Sequence, residues 1–336
     1  MTKIGINGFG RIGRSVFRVL AGRRDLEVAG INDLFEIGQL AYLLKHDSVM
    51  GELDREVTFD DHALYVDGRR TAMTAERDPG AIPWGEMGVE LVIESTGVFT
   101  SREQIAKHLS GGARKVILTV PAKDEIDATV VMGVNDSGLR PEHRLVSNAS
   151  CTTNCLAPLV KILDDRFGIE EGFMTTVHAY TNDQRLADWP HKDLRRSRAA
   201  AENVIPTTTG AARTVGKVLP HLKGRLDGMS LRVPVADGSI VDFTVRLRER
   251  PDAAAVNGAV REAASGPLRR IVEYSEVPLV SSDIIGNPHS SIFDALSTTA
   301  RGDGFVEVVA WYDNEWGYSN RVVDLIDRLT EVDGGR

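Results

Sequence analysis

Lys3-Ile4-Gly5-Ile6-Asn7-Gly8-Phe9-Gly10-Arg11-Ile12-Gly13-Arg14 carries the chain out of an apolar run and into a glycine-rich turn. The run Lys3–Asn7 has the pattern of a buried strand, and the residues after the turn have that of a helix. Between them Gly8, Gly10 and Gly13 stand as G-x-G-x-x-G, the spacing at which a backbone can approach a pyrophosphate. The hexad alone would also suit a tight turn with no ligand. Asp33 decides between the two, twenty residues past Gly13 at the end of a second strand candidate, Leu26–Asn32. A carboxylate there accepts hydrogen bonds from an adenosine ribose and repels a 2′-phosphate, which points to NAD.

Working outward, further apolar strand candidates follow at Glu90–Ser95, Arg114–Val120, Thr129–Val134 and Arg144–Ser147, alternating with helical stretches. Near-continuous Val/Ile/Leu runs are what strands covered on both faces require, so the first half predicts an α/β, Rossmann-type doubly wound parallel sheet. After residue 150 the texture changes. A helix is expected over Thr152–Phe167, then longer alternating strands at Phe173–Tyr180, Leu226–Val233, Ile240–Arg248 and Phe305–Asp313. Alternation predicts a mostly antiparallel sheet in an α+β domain. Apolar Val322, Val323, Ile326 and Leu329 at helical spacing predict a terminal helix packed back on the first domain. The expected division is therefore 1–150, completed by a helix over 316–336, and a catalytic domain over 151–315.

With 336 residues, two domains are the natural expectation. The composition is 42% hydrophobic and 26% charged, ordinary for a globular protein, and no apolar run is long enough to span a membrane. The chain enters its first strand without a leader, which predicts a cytoplasmic protein. A net charge of −8 argues against a nucleic-acid partner. The polar stretch Thr181–Pro206, with the cluster Arg195-Arg196-Ser197-Arg198, is longer than a plain connector needs and suits a phosphate-sized anion.

Cys151 and Cys155 are the two cysteines, spaced neither as a disulfide framework nor as a zinc half-site. Polar Ser147-Asn148-Ala149-Ser150 ends a strand just before Cys151, so the thiol falls at a helix N-terminus, where a thiolate is stabilised. His178 ends the alternating strand 27 residues later and has the chemistry to shuttle a thiol proton. Spacing alone does not bring the two together. Cys155, one helical turn further in, reads as a buried core residue.

Ala149-Ser150-Cys151-Thr152-Thr153-Asn154-Cys155 resembles the active-site segment of the glyceraldehyde-3-phosphate dehydrogenases. The resemblance runs the length of the chain: Ile6–Arg14 is similar to that family's opening, His178–Gln184 to its histidine segment, Pro206–Ala212 to its phosphate loop and Trp311–Tyr318 to its C-terminal cofactor contact. It implies phosphorylating oxidation of glyceraldehyde 3-phosphate with NAD and inorganic phosphate. Cys151 would form a thiohemiacetal and then a thioester, and His178 would take the hydroxyl proton. Thr181 and Arg232 would hold the substrate phosphate, with Asp183 placing Arg232. Ser150, Thr152, Thr209, Gly210 and Arg196, with Arg198 as the alternative arginine, would hold the inorganic phosphate. At the cofactor it implies Gly8, Gly10, Arg11, Ile12 and Gly13 at the pyrophosphate, Asp33 at the ribose, Arg77 and Thr119 along the adenosine side, Asn314 at the nicotinamide amide and Tyr318 beside the ring. It also implies a homotetramer in which 181–206 reaches a neighbour's cofactor region. Trp189, His46 and Thr119 depart from the residues more familiar in the family.

Two rivals remain at this point. Asn287-Pro288-His289-Ser290 would suit an erythrose-4-phosphate dehydrogenase, but Ala179–Asp183 and Thr207–Gly210 keep the triose-phosphate form. An NAD-binding protein with a non-catalytic role is the second, disfavoured by an intact Cys151, His178 and both anion sets.

Overall fold

The computed structural model describes residues 1–334. The chain forms two compact units: Met1–Val130 with Asp136–Ala149 and the chain from Ser319 onward, and Val131–Asn135 with Ser150–Tyr318.

In the first unit β1 (Thr2–Asn7), α1 (Arg11–Ala21), β2 (Leu26–Asn32) and α2 (Ile37–Lys45) are followed by a small hairpin, β3 (His46–Asp47) and β4 (Gly51–Glu52). Then come β5 (Val57–Phe59), β6 (Ala63–Val66), β7 (Arg69–Thr74), β8 (Leu91–Glu94), α3 (Arg102–Ser110), β9 (Lys115–Leu118), β10 (Ala128–Thr129) and β11 (Leu145–Ser147). Nine strands make one sheet in the order β10-β11-β9-β8-β1-β2-β7-β6-β5. From β10 to β7 every pairing is parallel; β6 and β5 add an antiparallel edge. Ile4, Ile6, Ile31, Val92, Ile93, Val116 and Ile117 are wholly buried. Each such side chain contributes about 1.5–3 kcal/mol, which is why these runs occupy the centre of the sheet. The chain leaves β1 toward β2 on one side and returns to β8 on the other. The carboxyl ends of β1 and β8 therefore flank a topological switch point, where such sheets bind ligands.

One strand expectation fails. Of Thr129–Val134 only Thr129 is in a strand, the end of Ala128–Thr129, and Val131–Asn135 leaves the sheet to belong to the second unit. The side chain of Asn135 accepts from the Val131 N–H (2.9 Å), and Gly133 sits at φ +77°, so this apolar segment closes a turn. The antiparallel excursion β5–β7 was not anticipated, being short and partly polar.

The second unit begins with α4 (Cys151–Phe167) and β12 (Ile169–Ala179). It continues through β13 (Ile205–Thr208), α5 (Ala211–Val218), β14 (Leu226–Val233), β15 (Ser239–Leu247), α6 (Ala253–Ser265), β16 (Val272–Ser275), α7 (Ser281–Ile284), β17 (Ser291–Ala300) and β18 (Phe305–Tyr312). Its seven strands run β13-β14-β12-β15-β18-β17-β16; β12/β14 and β16/β17 are parallel and the other pairings antiparallel. Burial alternates strictly along β15 and β18, and helices α4, α5 and α6 pack on the sheet. α8 (Trp316–Gly334) ends the described chain; residues 335 and 336 of the expected helix lie outside it. Val322, Val323, Ile326 and Leu329 are buried, and Arg23–Asp327 and Lys115–Asp333 ion pairs at 2.8 Å tie the helix to the first unit.

Candidate active site and cofactor loop

In the first unit the three glycines have separate reasons. Gly8 lies at φ +90°, and a Cβ there would stand 2.7 Å from the Thr96 nitrogen. A Cβ on Gly13 would sit 2.2 Å from the Gly8 carbonyl oxygen. Gly10 has nothing within 4 Å of such a Cβ, and it caps α1 without a side-chain hydrogen bond. A helix start with no side-chain cap and a bare glycine before it is the kind of arrangement that fits an NAD pyrophosphate. Asp33, half-buried, accepts from the Phe9 N–H (2.6 Å) and the Phe35 N–H (3.2 Å). Arg11 and Ile12 stand at the start of α1, and Asp47 holds the Arg11 guanidinium through two hydrogen bonds of 2.7 and 3.1 Å. Arg77 is exposed, and Thr119 is buried with its hydroxyl donated to the Glu94 carbonyl at 3.0 Å.

Beneath the loop lies a buried network that the sequence did not reveal. Glu94 accepts from Asn7 Nδ2 (2.6 Å), the Thr96 N–H (2.9 Å) and the Thr96 hydroxyl (2.5 Å), and meets His108 Nε2 at 2.9 Å. Trp84 donates to His108 Nδ1 (3.0 Å), so the imidazole proton is on Nε2 and points at Glu94. Asn32 donates to Asn7 Oδ1 (2.8 Å), and the Gly8 N–H to the Asn32 carbonyl (2.9 Å). A buried carboxyl group supplied with this many donors has its hydrogen bonds satisfied and holds the carboxyl ends of β1, β2 and β8 in one geometry.

In the second unit Ser150 caps α4, its hydroxyl accepting from the Thr153 N–H at 3.1 Å. Cys151 is therefore the first helical residue, half-buried, with Sγ 3.4 Å from His178 Nε2. Burial pushes the Cys151 thiol up, while the charge of Arg232 and hydrogen bonds from Thr152 pull it down. His178, near the end of β12, is lowered to about 3, first by burial and then by Arg232, with the Ala179 carbonyl opposing, so the ring is neutral.

Register explains the Arg232 contact: His178 and Arg232 are partners across β12 and β14. Arg232 Nη1 lies 2.7 Å from His178 Nδ1 and 2.9 Å from the Ala179 carbonyl. Arg232, which only donates, and the Ala179 carbonyl, which only accepts, both lie 2.7 Å from Nδ1, so two tautomers compete: with Nδ1 accepting from Arg232 the proton sits on Nε2 toward Sγ, and with Nδ1 donating to the carbonyl Nε2 is free to accept. Behind His178 the Tyr312 ring stands edge-on at 5.9 Å. Its hydroxyl is 2.9 Å from both Thr152 and Thr176, and Thr176 donates to the Ile240 carbonyl at 3.1 Å. That last bond sets the direction of the chain, from Thr152 to Tyr312 to Thr176. Tyr312 and Thr176 were missed; the only sequence signal was Thr176 sharing a strand face with His178.

The anion residues fall in two groups. Ser150 and Thr153 at the start of α4 lie against the start of α5, where Thr153 Oγ1 is 3.5 Å from the Ala211 carbonyl. Gly210 caps α5 without a side-chain bond and has open space where a Cβ would be, and Thr209 Oγ1 accepts from the Ala211 N–H at 3.2 Å. Arg196 donates through Nε to Thr207 (2.9 Å) and is ion-paired with Asp183, whereas Arg198 turns to Asp188 at 2.9 Å. Of the two, Arg196 is the arginine joined to the 207–210 segment. The Asp183 carboxylate takes Arg196 and lies 3.5 Å from His191, and it acts on Arg232 through its charge. Thr181 is half-buried, with its N–H on Gln184 at 3.2 Å.

Asn314 is buried and accepts from Ser239 at 2.6 Å; Tyr318 is buried too. Beside them Asp313 accepts from the N–H groups of Gly286 (2.7 Å), Glu315 (2.9 Å) and Trp316 (2.5 Å). Burial, then the charge of Asp313, pushes the carboxyl of Asp237 up to about 9, so Asp237 keeps its proton. Cys155 is wholly buried and its thiol is pushed up to about 12 by desolvation. Among the described residues no cluster of His, Cys, Asp and Glu is arranged to hold a metal ion, and no helix is long and apolar enough to cross a membrane.

Comparison with known proteins agrees with this chemistry. Residues 2–102 match the family described as "Glyceraldehyde 3-phosphate dehydrogenase, NAD binding domain", and residues 150–314 the one described as its C-terminal domain. The chain is 57% identical to glyceraldehyde-3-phosphate dehydrogenase of Geobacillus stearothermophilus and 56% identical to glyceraldehyde-3-phosphate dehydrogenase 1 of Bacillus subtilis, over 96% of each chain in both cases. It is 55% identical to the enzyme of that name from Borreliella burgdorferi, over 98% of this chain and all of the relative. A glycine loop with an aspartate closing it from the end of the second strand, a thiol at a helix N-terminus against a neutral imidazole, and likeness over nearly the whole length place this chain in the glyceraldehyde-3-phosphate dehydrogenase family of NAD-dependent oxidoreductases.

Proposed function

We propose that this protein oxidises D-glyceraldehyde 3-phosphate to 1,3-bisphosphoglycerate, with Cys151 as nucleophile and inorganic phosphate as the acceptor of the acyl group. The observation that carries the reading is the 3.4 Å approach of Cys151 Sγ to His178 Nε2 at the start of α4. The thiolate adds to the aldehyde carbon to give a thiohemiacetal, and His178 takes its hydroxyl proton as the carbon is oxidised to a thioester. Bound NAD supplies the acceptor for the two electrons and the hydrogen that the substrate loses. A phosphate oxygen then attacks the thioester carbon and Cys151 leaves as thiolate.

The chain's own groups suit these steps. Arg232 turning to the substrate phosphate, with Thr181, would release Nδ1 to the Ala179 carbonyl 2.7 Å away, the tautomer in which Nε2 is free to accept a proton. Ser150, Thr152, Thr209, Gly210 and Arg196 are proposed for the attacking phosphate; the two adjoining helix N-termini and the Arg196–Thr207 bond support it. Gly8, Gly10, Gly13 and the backbone of Arg11 and Ile12 are proposed at the NAD pyrophosphate, Asp33 at the ribose, Arg77 and Thr119 along the adenosine, and Asn314 and Tyr318 at the nicotinamide. A cytoplasmic location and a homotetramer complete the reading. Leu186, Trp189 and Leu194 in the 181–206 stretch are exposed, which supports a subunit contact there.

Phosphate dependence is the test. In phosphate-free buffer the thioester should accumulate, giving a burst of about one NADH per active site followed by slow turnover; phosphate or arsenate should restore steady turnover. Sustained turnover without either, with free acid as product, would refute the assignment of the acceptor and favour the erythrose-4-phosphate or a hydrolytic reading.

A further inference from the structure

Ser239 is the first residue of β15 and is wholly buried. Its partner across the antiparallel pairing with β18 is Tyr312, which brings its hydroxyl beside Asn314, two residues beyond. The hydroxyl has a single hydrogen. The Ala179 N–H, which only donates, occupies one of its lone pairs at 3.0 Å. Ser239 Oγ lies 2.6 Å from Asn314 Oδ1, a separation usual for O–H···O and short for N–H···O. The hydrogen of Ser239 therefore goes to the amide oxygen, and the two N–H groups of Asn314 Nδ2 remain to be presented elsewhere.

We infer that Ser239 is a positioning residue for the cofactor: by holding the oxygen of the Asn314 amide it commits the amide nitrogen to donate to the carbonyl oxygen of the nicotinamide carboxamide. The orientation of that carboxamide fixes which face of the ring is offered. The same hydroxyl joins Asn314 to the N–H of Ala179, the residue after His178, and the Ala179 carbonyl accepts from Arg232 at 2.9 Å. One buried serine thus keeps the amide and the imidazole strand of this unit in register. The inference rests on the proposed contact of Asn314 with nicotinamide.

The test is calorimetric binding to the whole protein of NAD and of ADP-ribose, which lacks the nicotinamide. Ser239→Ala is expected to weaken NAD about 5- to 20-fold, the loss of one buried hydrogen bond to an oriented amide, and to leave ADP-ribose within about 2-fold. A loosened fold would weaken both equally, so an unchanged ratio of the two affinities overturns the proposal. Asn314→Ala separates the two levels of the argument. If it also leaves the ratio unchanged, the nicotinamide contact itself is wrong. If it lowers NAD selectively and Ser239→Ala does not, the positioning role alone fails.

Discussion

Alkylation of the two thiols offers a sharp test of the site, because they share one helix and differ only in surroundings. Cys155 is wholly buried, 3.7 Å from the Ser291 hydroxyl, with its thiol pushed up to about 12. At pH 8 such a thiol is ionised in roughly one molecule in 10⁴, against about one in four for an ordinary cysteine near 8.5, so ionisation alone slows it about 10³-fold. Burial adds occlusion. Cys151 is also raised by desolvation, but Arg232, Thr152 and the first turn of α4 oppose the rise, and it is half-buried. One equivalent of iodoacetamide should therefore modify Cys151 before Cys155, because burial raises both thiols but only Cys151 has Arg232 and Thr152 to oppose the rise and is partly exposed. Both residues lie between Arg144 and Lys161, in one tryptic peptide, so the site must be assigned by fragmentation mass spectrometry. Cys155→Ala should keep the fast reaction and substantial activity; Cys151→Ser should lose both, activity by at least about 10³-fold, while still binding NAD. Comparable labelling of Cys155, or near-parental turnover by Cys151→Ser, would refute the reasoning.

Three further outcomes are expected. Cofactor preference should favour NAD over NADP, since the Asp33 carboxylate meets a 2′-phosphate with like charge; equal specificity constants would contradict this. Asp237 is ionised near pH 4 when unfolded but only near 9 when folded, so the folded state binds more protons between these values and stability falls as pH rises through the window. The slope is up to about 1.4 kcal/mol per pH unit; Asp237→Asn should flatten it, and an unchanged dependence of melting temperature on pH would show that the carboxyl is not the cause. Light scattering at micromolar concentration should give four times the monomer mass, and a monomer would remove the subunit contact proposed for Leu186, Trp189 and Leu194.

The glycine loop, Asp33 and the strands at the middle of the first sheet were legible because a doubly covered parallel strand leaves a continuous apolar run. Leu226–Val233 was read to the residue, since its turn signals bound it closely. Thr129–Val134 had the same apolar signature but closes a turn through Asn135, and periodicity does not report which hydrogen-bond partner a backbone finds. β13 and β17 were overlooked, one containing Pro206 and the other ending in Ser-Thr-Thr-Ala, compositions that read as loop. In the active site, Cys151 announced itself by its helix start. Its proximity to His178 depends on α4 and β12 packing, and the Tyr312 hydroxyl reaches Thr152 from 160 residues away. The resemblance suggested Asp183 with Arg232; the direct ion pair of that carboxylate with Arg196, alongside its charge interaction with Arg232, depends on packing that spacing does not report.

Asp33 bears on attempts to redesign the enzyme for a different redox currency. Replacing the acidic residue proposed at the ribose is the obvious first substitution for anyone wishing to make such a protein run on NADPH. Here that carboxylate also clasps the Phe9 and Phe35 amides. Deleting it would unfasten the loop that must grip either coenzyme, and a charge swap alone would trade selectivity for a general loss of affinity. The substitution Asp33→Asn removes the charge yet keeps one oxygen, enough to accept from the Phe9 N–H while giving up the longer bond from Phe35. It is the more promising starting point, with any positive charge recruited from elsewhere along the adenosine side.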